Sequence, residues 1–94
     1  MIAINLSKVM IETIDMMKQH NGKMIRWKYG LWTFEGAKIK YYVKSNVDNS
    51  NVPIPEWYCD VKTLRALHKR GIIQLNEISS VAFLSTDKEV LVNG

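Results

Sequence analysis

The sequence is poor in three features that would point to particular classes of protein. It contains a single cysteine, Cys59, so a scaffold built on disulfides within the chain is excluded. Its uninterrupted apolar runs, such as residues 81–84, are a handful of residues long, whereas a helix that crosses a bilayer needs ~20. Residues 1–5 have neither the basic start nor the apolar stretch that export requires. We therefore expect a cytoplasmic protein that does not span a membrane.

The size and composition of the chain predict one folded domain. In a chain of 94 residues, a second core would leave each half too small for apolar burial to offset chain entropy. Hydrophobic residues make up 47% of the chain and charged residues 23%, which is typical of a globular protein rather than a disordered segment. We therefore treat residues 1–94 as a single domain.

Positive charge is concentrated in two segments of the chain. The net charge is only +4, yet residues 23–44 contain six lysines or arginines against one carboxylate, and residues 60–71 contain four against one. The remaining segments are neutral or acidic. Because clustered lysine and arginine side chains attract phosphates, this distribution points to a nucleic acid as partner.

An enzyme needs a convergent set of titrating groups, and the sequence offers few. Cys59 and His68 lie on opposite sides of a predicted helix start, with no third group of the type that a thiol–base pair requires. One cysteine with His20 and His68 does not supply the paired ligands of a zinc site, and no glycine-rich phosphate loop is present. We therefore expect no catalysis, metal, cofactor or small-molecule substrate.

The first predicted element is a helix over residues 6–20. Apolar residues recur there at steps of three and four, which forms one apolar stripe. Asn5 can accept the free amide hydrogens at the start of the helix, and Gly22 can adopt the left-handed conformation that ends it. We expect the methionines of the stripe to fill the core.

Residues 23–44 change to a period of two, which predicts half-buried strands. Gly30 and Gly36 mark turns on either side of a short apolar run, so the segment forms a hairpin or a three-stranded meander. We expect the apolar side chains of both long strands to point inward: Ile25, Trp27 and Tyr29, then Ile39, Tyr41 and Val43.

The opposite face of these strands is basic. It is either a nucleic-acid surface, with a tyrosine placed to stack on unpaired bases, or a solvated face whose lysines discourage edge-to-edge aggregation. The candidate nucleic-acid contacts on it are Arg26, Lys28, Lys38, Lys40 and Tyr42.

Residues 45–55 are predicted to form a long polar loop that ends with two prolines. Such a loop is either functional or mobile, and we expect it to be flexible. The next residues, 55–58, can form one helical turn, because proline suits the first helical position and glutamate favours the positive helix end. Trp57 and Tyr58 in this turn are the candidate contacts for a protein partner.

A short helix over residues 61–70 has the clearest boundaries. The Asp60 carboxylate can accept the free amide hydrogens of its first turn, which stabilises a helix by ~1 kcal/mol, and Gly71 can end it. Apolar residues at 61, 64 and 67 form a buried stripe, so the cations between them face outward. The candidate nucleic-acid contacts of this helix are Lys62, Thr63, Arg65, Lys69 and Arg70.

A hairpin follows this helix almost without a linker. Apolar and polar residues alternate over 73–76, residues 77–80 reverse the chain, and residues 81–85 return. Residues 87–94 either add an edge strand or lie loosely across the core.

The short helix and the hairpin together resemble a known superfamily. Residues 63–73, Thr-Leu-Arg-Ala-Leu-His-Lys-Arg-Gly-Ile-Ile, are similar to the form T-L-x-x-L-x-x-R-G-hydrophobic that is common in winged-helix domains. The resemblance implies an α+β fold with a recognition helix at 61–70, whose exposed face many relatives insert into the DNA major groove, and a wing with its tip at 77–80. A long loop and two prolines stand where relatives have a full helix before the recognition helix.

These observations give a leading functional hypothesis and an alternative. The leading hypothesis is a noncatalytic winged-helix-type module that binds single- or double-stranded DNA, with Arg65 as the candidate for reading a guanine edge. At this size we expect a homodimer or an accessory subunit, in replication or regulation of a phage or bacterial mobile element. The alternative is a protein-interaction module that binds a larger enzyme through Trp57 and Tyr58 and has lost nucleic-acid contact.

Overall fold

The computed structural model describes residues 6–85 as an α+β protein, as the sequence predicts. No helix in this part of the chain is long and apolar enough to cross a bilayer. The helices are α1 (Lys8–Gln19) and α2 (Val61–Lys69), and the strands are β1 (Lys23–Arg26), β2 (Leu31–Thr33), β3 (Ile39–Lys44), β4 (Asn51–Pro55), β5 (Cys59–Asp60), β6 (Ile73–Asn76) and β7 (Val81–Leu84). Asn5 and the predicted edge strand at 87–94 lie outside the described residues.

Five strands form an antiparallel main sheet in the order β5-β2-β1-β7-β6. The hairpin predicted after the short helix is confirmed as β6 and β7. Because β7 also pairs with β1, this hairpin is an integral part of the sheet rather than a separate flap. We call the main sheet with α1 and α2 the body of the protein.

The core of the body lies between the two helices and one face of the main sheet. Full burial of a large apolar side chain contributes ~1.5–3 kcal/mol, so this layer carries most of the stability of the fold. Its largest fully buried apolar side chains are Met17, Met24, Trp32, Leu64, Leu67 and Ile73.

Helix α1 begins two residues later than the sequence predicts. The Ser7 hydroxyl, rather than Asn5, caps the described helix, because it accepts a hydrogen bond from the Met10 amide at 3.2 Å. The predicted end is confirmed: Gly22 has φ +69° and donates its amide hydrogen to the Met17 carbonyl at 2.6 Å. His20 then stacks on Phe34, with ring centroids 3.6 Å apart, which fastens the end of α1 to the end of β2.

Helix α2 begins at the predicted residue and ends at Lys69, one residue before the predicted end. The Asp60 carboxylate accepts hydrogen bonds from the Thr63 amide at 3.0 Å and from the Thr63 hydroxyl at 2.9 Å. At the other end, Gly71 has φ +75°, and the Ile72 amide donates to the Leu67 carbonyl at 3.1 Å. Ile72 is thereby turned back into the core, where it is buried.

The first basic strand is shorter than the period-two pattern predicts, and its expected inward face is wrong. Met24 is fully buried and Ile25 only half-buried, so Arg26 lies on the core side of the strand rather than on the opposite face. β1 ends at Arg26, and the Trp27 amide donates to the Leu31 carbonyl at 2.7 Å, which closes a tight turn into β2. Tyr29, expected to point inward from a strand, instead lies in this turn with φ +60° and is 60% exposed. The turn interrupts the strand because Gly30 follows directly, also with positive φ.

The predicted loop over residues 45–55 is wrong for its second half. Residues Asn51–Pro55 form β4, which pairs antiparallel with β3, so the connection is only residues 45–50. The Pro53 carbonyl accepts a hydrogen bond from the Trp27 indole at 2.7 Å and so points away from β3. The missing amide hydrogen of Pro53 therefore falls on the open edge, where a strand tolerates proline. We call β3, β4 and their connection the arm.

A β-bulge in the arm overturns the expected inward face of β3. Ile39 pairs with Pro55 but Tyr41 pairs with Ile54, so Lys40 is an extra residue. An extra residue moves the side chains beyond it to the other face of a strand, which separates Ile39 from Tyr41 and Val43. All six β3 side chains are exposed, because in the described part of the chain the arm is a two-stranded ribbon and no layer packs over β3.

The helical turn predicted at residues 55–58 is absent. The Glu56 amide donates to the Lys38 carbonyl at 2.7 Å, and the Lys38 amide donates to the Glu56 carboxylate at 2.8 Å. These two bonds extend the pairing of β3 and β4 to the base of the arm, so the chain stays extended where a helix would have to begin.

Candidate nucleic-acid interface

The exposed face of α2 presents the cations that its spacing predicts. Lys62, Arg65 and Lys69 are all exposed along one side of the helix, opposite the buried Leu64 and Leu67. Thr63, also expected on this face, is half-buried, and its hydroxyl donates to Asp60. Thr63 therefore serves the helix cap, and the three long cations make up the accessible part of the face.

The Arg70 side chain is turned toward its own helix. Its guanidinium Nη1 donates to the Ala66 carbonyl at 2.9 Å, where a positive charge also opposes the negative end of the helix dipole. Arg70 is exposed, so its remaining donors stay available, but it lies at the end of the face rather than at its centre.

Arg65 is held by a carboxylate from the turn between β6 and β7. Its Nε and Nη2 atoms donate to the two Glu77 oxygens at 3.0 and 2.8 Å, a bidentate pair. These bonds and the positive charge lower the pKa of Glu77 below its ordinary value and raise that of Arg65. Both side chains remain accessible to solvent, so water and salt weaken the pair and another anion can compete for it.

Arg26 from the first basic segment comes to the same place. It is the cross-strand partner of Trp32, so it projects from the helix-covered face of the sheet, and its guanidinium carbon lies 5.9 Å from the centre of the Trp32 ring. Its positive charge further lowers the pKa of Glu77. The Arg26 amide also donates to the Ser80 carbonyl at 3.2 Å. The two basic segments of the sequence therefore come together at the turn between β6 and β7, where Arg65 is the residue that pairs with Glu77.

The arm is attached to the body next to this meeting point. Trp27, which donates its indole hydrogen to Pro53 of β4, stands between Arg26 and Lys28 in the chain. Within the arm, Pro53 is paired across the two strands with Tyr42 of β3. The end of β1 thus contacts both the turn that contains Glu77, through the Arg26 amide and the Ser80 carbonyl, and the arm, through Trp27.

The lysines of the arm are exposed and free of carboxylate partners. Within residues 6–85, the side-chain ion pairs are Lys23 with Glu35 and Arg65 with Glu77. Lys38, Lys40 and Lys44 therefore keep their charge available to a ligand, and Tyr42 beside them is 60% exposed.

The two predicted partner-binding aromatics are placed differently from each other. Trp57 is half-buried against the core, and its carbonyl accepts a hydrogen bond from the Thr33 hydroxyl. Tyr58 is 45% exposed. Trp57 thus packs the base of the arm onto the body, and Tyr58 is the more accessible of the pair.

Tyr29 is an exposed aromatic residue that was not among the candidate binding residues predicted from the sequence. It follows Lys28, lies in the turn after β1 and has a left-handed backbone, an uncommon conformation for a bulky residue. The alternation of Ile25, Trp27 and Tyr29 favours a longer strand, so the exposure of Tyr29 was not predicted. Gly30 directly after Tyr29 was the sequence signal for a turn at this position.

Cys59 and His68, the two groups considered for catalysis, are respectively buried and hydrogen-bonded within the fold. Burial raises the pKa of the Cys59 thiol to about 12, so the thiol is protonated at neutral pH. His68 Nδ1 accepts a hydrogen bond from the Leu75 amide at 3.2 Å, which ties α2 to β6. No group of three metal-ligating side chains comes together among the residues that the structure describes.

Comparison with known protein families, with curated proteins and with solved structures found no match for this chain.

Proposed function

We propose that the protein is a noncatalytic DNA-binding module of winged-helix type, with α2 as its recognition helix and the β6–β7 hairpin as its wing. The support is the order of elements: a capped short helix with outward cations leads through Gly71 directly into an antiparallel hairpin. The arm stands where a winged-helix domain has a helix before its recognition helix. The single buried thiol fits a reducing compartment, and we place the protein in the cytoplasm.

The observation that carries this proposal is the position of Arg26 and Arg65 at the turn that contains Glu77. Arg65 pairs with Glu77, and the Arg26 amide bonds to Ser80 of the same turn, so two cations from segments far apart in the sequence lie beside one turn. A DNA phosphate carries a negative charge, as Glu77 does, and can replace it on the Arg65 guanidinium, because arginine binds phosphate and carboxylate with the same planar donors.

The arm adds a second set of phosphate contacts to this surface. Its unpaired lysines lie beyond the bond between Trp27 and Pro53, and Lys28 lies at the junction. Each lysine or arginine that neutralises a phosphate releases counterions, so affinity and its salt dependence grow together with the number of contacts. The exposed Tyr42 offers a ring on which an unpaired base can stack.

The test is the salt dependence of DNA binding. Labelled duplex and single strands are titrated with the protein at two salt concentrations, and Arg65→Ala/Lys69→Ala is compared with Lys8→Ala/Lys18→Ala. Both double variants lose the same charge, but the second pair lies on α1, outside the proposed face. We expect the first variant to bind more weakly and to lose ~2 units of salt slope, one per phosphate contact.

Equal effects of the two double variants would show that only net charge matters and would remove α2 from the interface. Absence of binding by the wild type at low salt would favour the protein-interaction alternative. A larger affinity for single strands that Tyr42→Ala reduces would assign base stacking to the arm.

A further inference from the structure

Strand β3 has a free edge and an exposed apolar surface. Among residues 6–85 it pairs only with β4, and its side chains are exposed although four of its six residues are isoleucine, tyrosine or valine. A two-stranded ribbon is marginally stable in water, and additional strands are what ordinarily stabilise one. The arm therefore has the form of an incomplete sheet.

The backbone groups that face the free edge follow from the arm's own hydrogen bonds. The Ser45 amide donates to the Ser50 carbonyl at 2.8 Å, whereas the Pro53 carbonyl turns outward to Trp27. Hydrogen-bonded and non-hydrogen-bonded pairs alternate in an antiparallel ladder, so the amide and carbonyl groups of Tyr42 and Lys44 point away from β4. Within residues 6–85 no hydrogen bond reaches them.

The other edge of the arm is closed to a further strand. Pro53 and Pro55 have no amide hydrogen, and the Pro53 carbonyl is occupied by the Trp27 indole. Prolines at alternate positions remove the donors that strand addition needs. A strand can therefore add to β3 but not to β4.

We propose that the strand that adds is β3 of a second copy of this chain, in an antiparallel ladder whose two-fold axis passes at Val43. The arms then form one four-stranded sheet in the order β4-β3-β3-β4. Tyr42 of each copy lies opposite Lys44 of the other, and both of these pairs exchange main-chain hydrogen bonds through the groups that face the free edge.

Charge and the bulge select this register among the two-fold alternatives. An axis at Lys44 places that lysine against itself, and an axis at Tyr42 places Lys40 opposite Lys44, both like-charge pairs that destabilise a sheet. An axis at Tyr41 runs the ladder through the bulge at Lys40. The axis at Val43 has no lysine opposite a lysine and leaves the bulge outside the paired residues.

The contacts made in this register are complementary. The Lys44 ammonium of one copy lies beside the Tyr42 ring of the other, where a cation and an aromatic face attract each other. The two Val43 side chains meet across the axis. The connection between β3 and β4, which carries Asp48, passes along the Lys40 end of the other strand, so opposite charges are brought together.

A disulfide test measures the register directly. A non-hydrogen-bonded antiparallel pair has Cα atoms about 4.5 Å apart, which is within disulfide reach, so Val43→Cys is expected to form a covalent dimer under a mild oxidant. Tyr41→Cys is the matched control, because it lies on the same face with similar exposure. In the proposed register the two residues 41 are offset by four positions, ~13 Å along the strands.

We expect Val43→Cys to cross-link at least tenfold faster than Tyr41→Cys, as followed by non-reducing gels and intact mass. The wild type, whose Cys59 is buried, gives the background rate. Equal rates for the two variants, or a rate for Val43→Cys at background, would overturn the proposal.

A second measurement avoids covalent trapping. Sedimentation equilibrium is run over a concentration series without nucleic acid on the wild type, Val43→Lys and Tyr41→Lys, with circular dichroism to verify the fold of each. We expect the wild type and Tyr41→Lys to shift toward dimer mass as concentration rises, and Val43→Lys to remain monomeric because two ammonium groups would meet at the axis. A wild type that dimerises only when DNA is added would assign the free edge to DNA and contradict the proposal.

Discussion

The body and strand β3 of the arm carry similar apolar residues and use them in opposite ways. In the body, side chains such as Trp32 and Leu67 are fully buried between a sheet and two helices. In β3, the apolar side chains at 41–43 are between 43% and 60% exposed, whereas Val52 and Ile54 of the paired strand β4 are buried. An apolar strand residue thus becomes core only where other residues cover it, and β3 keeps an exposed apolar surface.

The largest expected loss of stability is that caused by truncating a buried side chain in the body. Leu67→Ala leaves a cavity in the core and should lower the free energy of unfolding by ~2–5 kcal/mol. Val43→Ala in the arm should cost less than ~1 kcal/mol, because its site is already open to water. Urea denaturation measures the free energy of unfolding of both variants. Similar losses of that free energy would mean that the side chain of Val43 is packed as tightly as that of Leu67.

The joint between the two regions can be weakened separately. Trp27→Phe removes the hydrogen bond to the Pro53 carbonyl but keeps an aromatic ring, and should cost ~1 kcal/mol. We expect amide hydrogen exchange to accelerate in β3 and β4 while the amides of β1 and β7 keep their protection. Uniform acceleration in both sheets would show that the arm unfolds only together with the body.

Body and arm each contain an aspartate whose pKa is lowered by hydrogen bonds. Asp60 accepts from Thr63 in the body, and Asp48 accepts from Ser50 in the arm. A lowered pKa in the folded state means that the unfolded chain binds more protons, so the stabilisation is complete above pH ~4 and is lost as pH falls through the folded-state pKa.

Asp60→Ala should therefore destabilise the fold by ~1 kcal/mol at neutral pH, and its difference from the wild type should shrink in acid. Asp48→Ala should change amide exchange only in residues 45–50. Thermal unfolding at pH 7 and pH 3 checks the first expectation, and a difference for Asp60→Ala that persists unchanged at pH 3 would contradict it.

The smallest predicted effect concerns two equally exposed tyrosines. Tyr29 and Tyr42 are each 60% exposed, but only Tyr29 has a left-handed backbone. Tyr29→Asn should raise the free energy of unfolding by about 0.5 kcal/mol, because asparagine adopts that conformation with less strain. Tyr42→Asn should not be stabilising, since asparagine is disfavoured in strands. Urea denaturation that gave both variants the same change would contradict the role of backbone strain.

Local signals predicted the body better than the arm. Asp60 before α2 and Gly71 after it mark helix ends through hydrogen bonds within a few residues, and the predicted helix agrees with the observed one to within one residue. The bulge at Lys40 and the strand at 51–55 depend on pairing across the hairpin and on the bond between Trp27 and Pro53. Such pairing has no periodic signature, and two prolines argued for a loop.

The candidate interface was predicted in its residue types but not in its contacts. The outward cations of α2 follow from helical spacing, and the structure has them exposed. The position of Arg26 and Arg65 at the turn that contains Glu77 could not be predicted, because it requires the register of the strands around β1 and the fold of the turn after β6. Sequence spacing predicts a face within an element, whereas a surface shared by two elements depends on topology.

The most direct test of the central claim is the DNA affinity of Glu77→Gln compared with that of Glu35→Gln. Each variant removes one negative charge from an exposed ion pair, but Glu35 pairs with Lys23, away from α2. If Arg26 and Arg65 form the polyanion surface, Glu77→Gln binds DNA more tightly than the wild type and more tightly than Glu35→Gln, because the Arg65 guanidinium is released and a negative charge is removed from beside Arg26. Equal gains in the two variants, or weaker binding by Glu77→Gln, would contradict the account.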